Sequence, residues 1–222
     1  MKKSVLSVLF LALLGSLSQI SAADADTEKM DFIKQSFQQN KTHSQYWQNG
    51  WTGFFAASTV VHAAIWGRTS SHSEAYDAKM TVITSGLGLA DTLINPMKSH
   101  VYAEKLTNTE VSLPQAEQWL SQAAARERYE RSFMSHFLSG AVNGLAAAAI
   151  AFDDKRKDDA IMSFVTGMLV SEVKIFTSPT AMNNAWKNYQ NGNYRLEKTA
   201  KMDAPRWQVA ALGPVLALQY QF

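Results

Sequence analysis

Six polar residues interrupt apolar stretches of this 222-residue chain: Asp91, Glu172, His62, His136, Asn143 and Lys174. An ionisable group inside an apolar helix is costly unless it is paired, protonated or hydrated, so each is a candidate for binding or proton handling. Thr84, Gly88, Asp91 and Asn95 share one helical face, as do His136, Gly140, Asn143 and Ala147, and Ser58 with His62. Glu172 and Lys174 lie about 200° apart around a helix, so each needs its own partner. If Asp91 and Glu172 met, two neighbouring carboxylates would share a proton or hold a cation. The plainer reading is interhelical hydrogen bonds with an Asp–Lys or Glu–His pair that fixes register.

Other chemistry is poorly represented. The chain has no cysteine, which excludes disulfides, thiolate catalysis and cysteine metal sites. No His-Glu-x-x-His or Glu-x-x-His spacing occurs, so neither a zinc nor a di-iron site is expected. Gly86-Leu87-Gly88 is too short for a phosphate fingerprint, and Ser139-Gly140 lacks a nucleophile elbow. No cofactor is expected. With 21 Lys+Arg against 19 Asp+Glu, the net charge of +2 leaves no basic excess for nucleic acid.

The elements that carry these residues are helical. Asp24 to Lys41 places Met30, Ile33 and Phe37 at helical spacing. Four apolar stretches follow, Trp51–Gly67, Thr81–Met97, His136–Phe152 and Ile161–Pro179. Each gives about 25–29 Å of helix, the lower edge of what crosses a bilayer core. Ser71-His72-Ser73-Glu74 has capping-box spacing, and Pro96 and Pro179 end the second and fourth stretches. Ser112 with Pro114 starts a helix expected to run through Arg126–Arg131 into the third stretch, its alternating charges forming a solvated face. Gly140, Gly144 and Ala148, four apart, form a small-residue ridge suited to close helix approach. Trp47, Trp51, Trp66, Trp119 and Trp186 lie near stretch ends, as an interfacial belt or as ordinary core.

An internal repeat organises the middle of the chain. Asp77, Ala78, Met80, Thr84 and Gly86 align with Asp159, Ala160, Met162, Thr166 and Gly167 across a one-residue gap, with Asp91 opposite Glu172 and Pro96 opposite Pro179. The expected fold is mainly α, a bundle of two duplicated helical hairpins over 24–190. Repeat 1 spans about 44–97 and repeat 2 about 127–179, and a short strand or hairpin follows in 191–222.

The chain ends point to export. Lys2-Lys3, the apolar run Val5–Leu17 and the small residues Ser21-Ala22-Ala23 make residues 1–23 a secretory signal peptide of bacterial style. Phe222, Tyr220, Leu218 and Leu216 alternate with Gln221, Gln219 and Ala217, an ending that resembles the C-terminal signal of bacterial outer-membrane proteins. A barrel needs at least about eight alternating strands, and this chain offers about two. Of the loops 67–80 and 153–160 only the second is dense in basic residues, and four Asp residues flank it, so the positive-inside rule gives the inner membrane no support.

The functional expectation is an exported envelope protein of the outer membrane or periplasm. It would associate with membrane in a non-enzymatic scaffold, lipid-binding or assembly role. Its partners would be membrane lipid, an envelope protein or a second copy of the chain. The alternative is an intramembrane enzyme or proton-coupled carrier that uses Asp91, Glu172, His62 and His136.

Overall fold

The computed structural model describes the backbone of residues 3–195, 206–212 and 215–221, and the side chains of 24–195. The chain is mainly helical, with seven helices among the described residues: α1 (Lys3–Arg68), α2 (His72–Ile94), α3 (Ser99–Asn108), α4 (Leu113–Glu130), α5 (Phe133–Phe152), α6 (Lys157–Phe176) and α7 (Ala181–Gln190). Two short strands, β1 (Arg206–Leu212) and β2 (Val215–Gln221), pair antiparallel. Phe222 and most of the Tyr194–Thr199 segment lie outside the described residues.

Two parts of the bundle differ in what they bury. The stretch of α1 from Met30 to Phe37 joins α3, α4 and α7 in a base built on ordinary burial. Phe32, Ile33 and Phe37 of α1 pack with Tyr102 and Leu106 of α3, Leu120 of α4 and Met182 of α7. The spacing of Ile33 and Phe37 supplies the inward stripe, as the heptad-like pattern of Asp24 to Lys41 requires. Trp119 stacks on Tyr102 at 5.1 Å and Trp186 on Tyr189 at 5.9 Å, so these two indoles belong to the base. Trp47 is buried, whereas Trp66 near the end of α1 is exposed.

The second part is two helix pairs, the far half of α1 with α2, and α5 with α6. Here burial is sparse. Ile150 is the single buried residue of α5, and α6 buries Ala160, Lys174 and Ile175. Outward, Val60, Ile83, Phe137, Leu145, Phe164 and Leu169 are exposed, Leu145 to 73%. Two segments, Phe133–Phe152 and Lys157–Gln190, are long and apolar enough to cross a membrane by length and composition. The far half of α1 and α2 fall short of that, where four such helices were expected. Glu74, Asp77, Lys79 and Asp91 lower the hydropathy of α2.

Local boundaries follow from capping, with one correction. Ser71 caps α2 by accepting the Glu74 N–H at 3.4 Å, while the Glu74 carboxylate takes the Thr69 hydroxyl instead of closing the box. Pro114 sits in the first turn of α4, after Ser112. The expected continuous helix from there into the third stretch does not exist, because α4 ends at Glu130 and α5 begins at Phe133. The Arg131 guanidinium turns away to the carbonyls of Phe176 and Ser178, at 2.6 and 2.8 Å, and Ser135 Oγ donates to the Tyr129 carbonyl across the break. Conversely, Asn49-Gly50 reads locally as a turn, yet α1 passes through it unbroken.

Candidate functional site

Between the two helix pairs lies a cleft of about 740 Å³. Helical spacing sets its lining. Ser58 and His62 face it from α1, Thr84, Gly88 and Asp91 from α2, Ser139, Val142 and Asn143 from α5, and Ser163, Thr166 and Lys174 from α6. The walls mix apolar side chains (Phe55, Met80, Leu138, Ile150) with hydroxyls, while the outer faces of the same helices are apolar.

Two glycines let the helices of each pair close up. The Phe55 ring lies against Gly88, where a Cβ would come within 2.6 Å of it, and the Asn143 side chain lies against Gly167. Asn143 also donates to the Ser139 carbonyl at 2.9 Å and to Ser171 Oγ at 3.2 Å. The Gly140–Gly144 ridge does not serve this purpose. A Cβ at Gly140 would meet nothing within 4 Å, and one at Gly144 only the edge of Phe164 at 4.0 Å.

The base end of the cleft is closed by ions. The Lys174 amine donates to Asp91 at 3.2 Å and to Glu130, and it sits 5.3 Å from the Trp47 ring centroid. Arg126 holds the other oxygen of Glu130 at 2.6 Å and the Asn95 carbonyl at 2.7 Å. The Trp47 indole N–H donates to the Lys174 carbonyl at 3.1 Å. Thus α1, α2, α4 and α6 meet at one amine. Glu130 and Glu127 are both nearly fully buried, so the Arg126–Arg131 segment is not the solvated face its alternating charges suggested.

The opposite end is held by Arg156, in the loop between α5 and α6. Its guanidinium donates to Asp77 at 2.5 and 3.1 Å, to Asp159 at 2.5 Å and to the Ser73 carbonyl at 3.2 Å. Its Nε reaches Asp154 at 2.5 Å. These carboxylates, Asp77 foremost, hold the guanidinium above its ordinary range. The preceding Lys155 has φ +60°, a left-handed conformation that costs a non-glycine residue about 1 kcal/mol or more.

The six candidate residues therefore separate. Asp91, Lys174, His62 and Asn143 line the cleft. His136 and Glu172 pair with each other at 2.9 Å outside its lining, each about a third exposed. Asp91 and Glu172 take different partners, Lys174 and His136, and do not form a carboxylate pair. His62 Nδ1 donates to the Ser58 carbonyl at 2.8 Å, so that nitrogen cannot accept the Ser58 hydroxyl proton and no activated serine results. Among the described residues, no group of three His, Asp or Glu is arranged to hold a metal. Sequence spacing does not mark Glu130, Arg126, Asp77, Asp159 and Arg156 as partners of these residues or of one another. The one usable signal was that Asp77 and Asp159 opened the matched segments of the repeat.

No family model matches the chain, and neither a curated protein nor a solved structure matches it.

Proposed function

We propose that this chain is an exported, non-enzymatic protein of the cell envelope whose α1–α2 and α5–α6 pairs sit against lipid, with the base in water. The observation that carries the reading is the outward apolar surface of the helix pairs. Leu145, Leu169, Val173 and Phe176 are more than half exposed on α5 and α6, the two helices whose composition suits a bilayer. An aqueous domain rarely leaves such an area uncovered. The inner faces carry the hydroxyls and ion pairs instead, a distribution suited to a lipid exterior. The signal-like segment 1–23 supports export, and a single basic loop, 153–160, offset by four flanking Asp residues gives the inner membrane no support over the outer membrane or periplasm. The role is that of a scaffold, assembly factor or lipid-binding protein. An enzyme or proton carrier built on Asp91, Glu172, His62 and His136 is less favoured, since only Asp91 and His62 share the cleft.

The helix pairs also read as duplicates. Asp77 and Asp159, matched in the repeat, bind one guanidinium, and matched Ala78 and Ala160 are both buried. The contacts correspond as well, α1 with α2 and α3 in one unit, α5 with α6 and α4 with α7 in the other. A C-terminal hairpin after residue 190 completes the proposed arrangement.

Cell fractionation tests the membrane reading. The mature protein is expected in the membrane pellet and to resist extraction by salt and alkaline carbonate. Recovery in the soluble fraction at both low and high salt would overturn it.

A further inference from the structure

We propose that the cleft between the helix pairs binds a single-chain amphiphile with an uncharged, hydrogen-bonding headgroup, such as a monoacylglycerol. The inference rests on the reading of the helix pairs as lipid-facing and names the ligand class of their cleft. Its volume, about 740 Å³, falls within the range of about 300–1,000 Å³ typical of small-ligand sites. From Asp159 to Lys174 the cleft follows about 22 Å of α6, long enough for an extended acyl chain.

The charge pattern selects the headgroup. At the base end the charges balance, Asp91 and Glu130 against Lys174 and Arg126, whereas at the loop end Asp77 and Asp159 share the one Arg156 guanidinium and outnumber it. An anionic headgroup would find no free cation and would meet excess carboxylate at the loop end, and a cationic one would have to compete with Arg156 there or with Lys174 at the base. Neutral hydrogen-bonding capacity is unspent. Among the described residues, the lining hydroxyls of Ser139, Ser163 and Thr166 have no partner, whereas helical serines such as Ser85 and Ser171 bond back to a carbonyl one turn earlier. Esters and hydroxyls are the groups such hydroxyls recognise without desolvating a charge.

The test uses the full chain, with and without phosphatidylcholine vesicles, and a diazirine-tagged monoacylglycerol cross-linked by light and mapped by mass spectrometry. Adducts are expected at Met80, Val142 and Met162. Unlabelled monoacylglycerol should compete at least tenfold better than a fatty acid or an alkylamine of equal chain length. Val142→Trp, which intrudes on the cleft, should reduce these adducts. Ser139→Ala with Ser163→Ala, which cannot disturb packing, should weaken competition several-fold. Vesicle flotation with adducts confined to Leu145, Leu169 and Val173 would overturn the inference and keep the membrane reading. Cleft adducts without flotation would do the reverse, and equal competition by the fatty acid would refute the headgroup assignment.

Discussion

Asp77 of α2 and Asp159 of α6, from helices of different pairs, close on the same Arg156 guanidinium at 2.5 Å each. One side chain thus ties the two pairs together at the loop end. Three carboxylates would face one another without it, Asp154 being the most buried of them.

Arg156→Met should therefore destabilise the bundle. Asp77 and Asp159 are about half exposed, so solvent screens much of the repulsion and the loss is expected at about 1–2 kcal/mol. Adding Asp77→Asn and Asp159→Asn should recover most of it. Guanidinium unfolding in detergent measures both steps, and an unchanged midpoint for Arg156→Met would refute the clamp.

At the base end the expected effects are unequal. Lys174→Met leaves Glu130, whose side chain is 3% exposed, with Arg126 as its one remaining counter-ion and should cost about 1.5–3 kcal/mol. Asp91→Asn leaves Lys174 with Glu130, and since the Asp91 side chain is 39% exposed the loss should stay below about 1 kcal/mol. Equal losses, measured in the same unfolding assay, would show that Asp91 is the principal partner.

Gly88→Ala forces a Cβ into the Phe55 ring and should destabilise the α1–α2 pair by about 1–3 kcal/mol. Phe55→Leu in the same chain should relieve much of it. Gly140→Ala meets open space and should be neutral or stabilise the helix by up to about 1 kcal/mol. Melting temperatures of the three variants discriminate between these outcomes.

Burial pushes the Glu127 carboxyl from its ordinary 4.5 up to about 7, against the Asn183 N–H and the Arg131 charge, which draw it down. Between those two values the unfolded chain releases this proton while the fold keeps it. Stability is therefore full below about pH 4.5 and falls as pH rises to 7, by on the order of 3 kcal/mol. Glu127→Gln keeps an acceptor for the Asn183 N–H, at 2.9 Å in the native protein, and removes the titration. Urea unfolding should show the variant gaining on the native protein at pH 8 and not at pH 5. Parallel pH profiles would refute the shift.

Local signals were the legible ones. Ser71 and Ser112 mark helix starts, Ile33 and Phe37 mark a buried stripe, and the apolar runs mark helices, because each is written within a turn or two of chain. The α4–α5 break was not legible, since it depends on Arg131 reaching carbonyls some 45 residues away. The Arg126–Arg131 charges misled for a related reason. Alternating sign gives no information on whether a second element covers the face, and α6 supplies Lys174 to Glu130 from 44 residues away. Spacing placed Asp91 and Lys174 correctly as polar residues in apolar helices, yet the choice of partner depends on how the two pairs lean together.

The two pairs are mounted differently. On one side α1 is an uninterrupted rod from the base to its far end, and bending it would break consecutive i to i−4 hydrogen bonds. On the other side the chain is jointed twice, at Arg131-Ser132 and again between Phe176 and Ala181, where those bonds are already missing. The molecule is built like a vice with one jaw in a single piece and the other hung on two joints that Arg131 splints together. Lys174 on Asp91 at one end, and Arg156 on Asp77 with Tyr76 on Asp153 at the other, set the gap between the jaws.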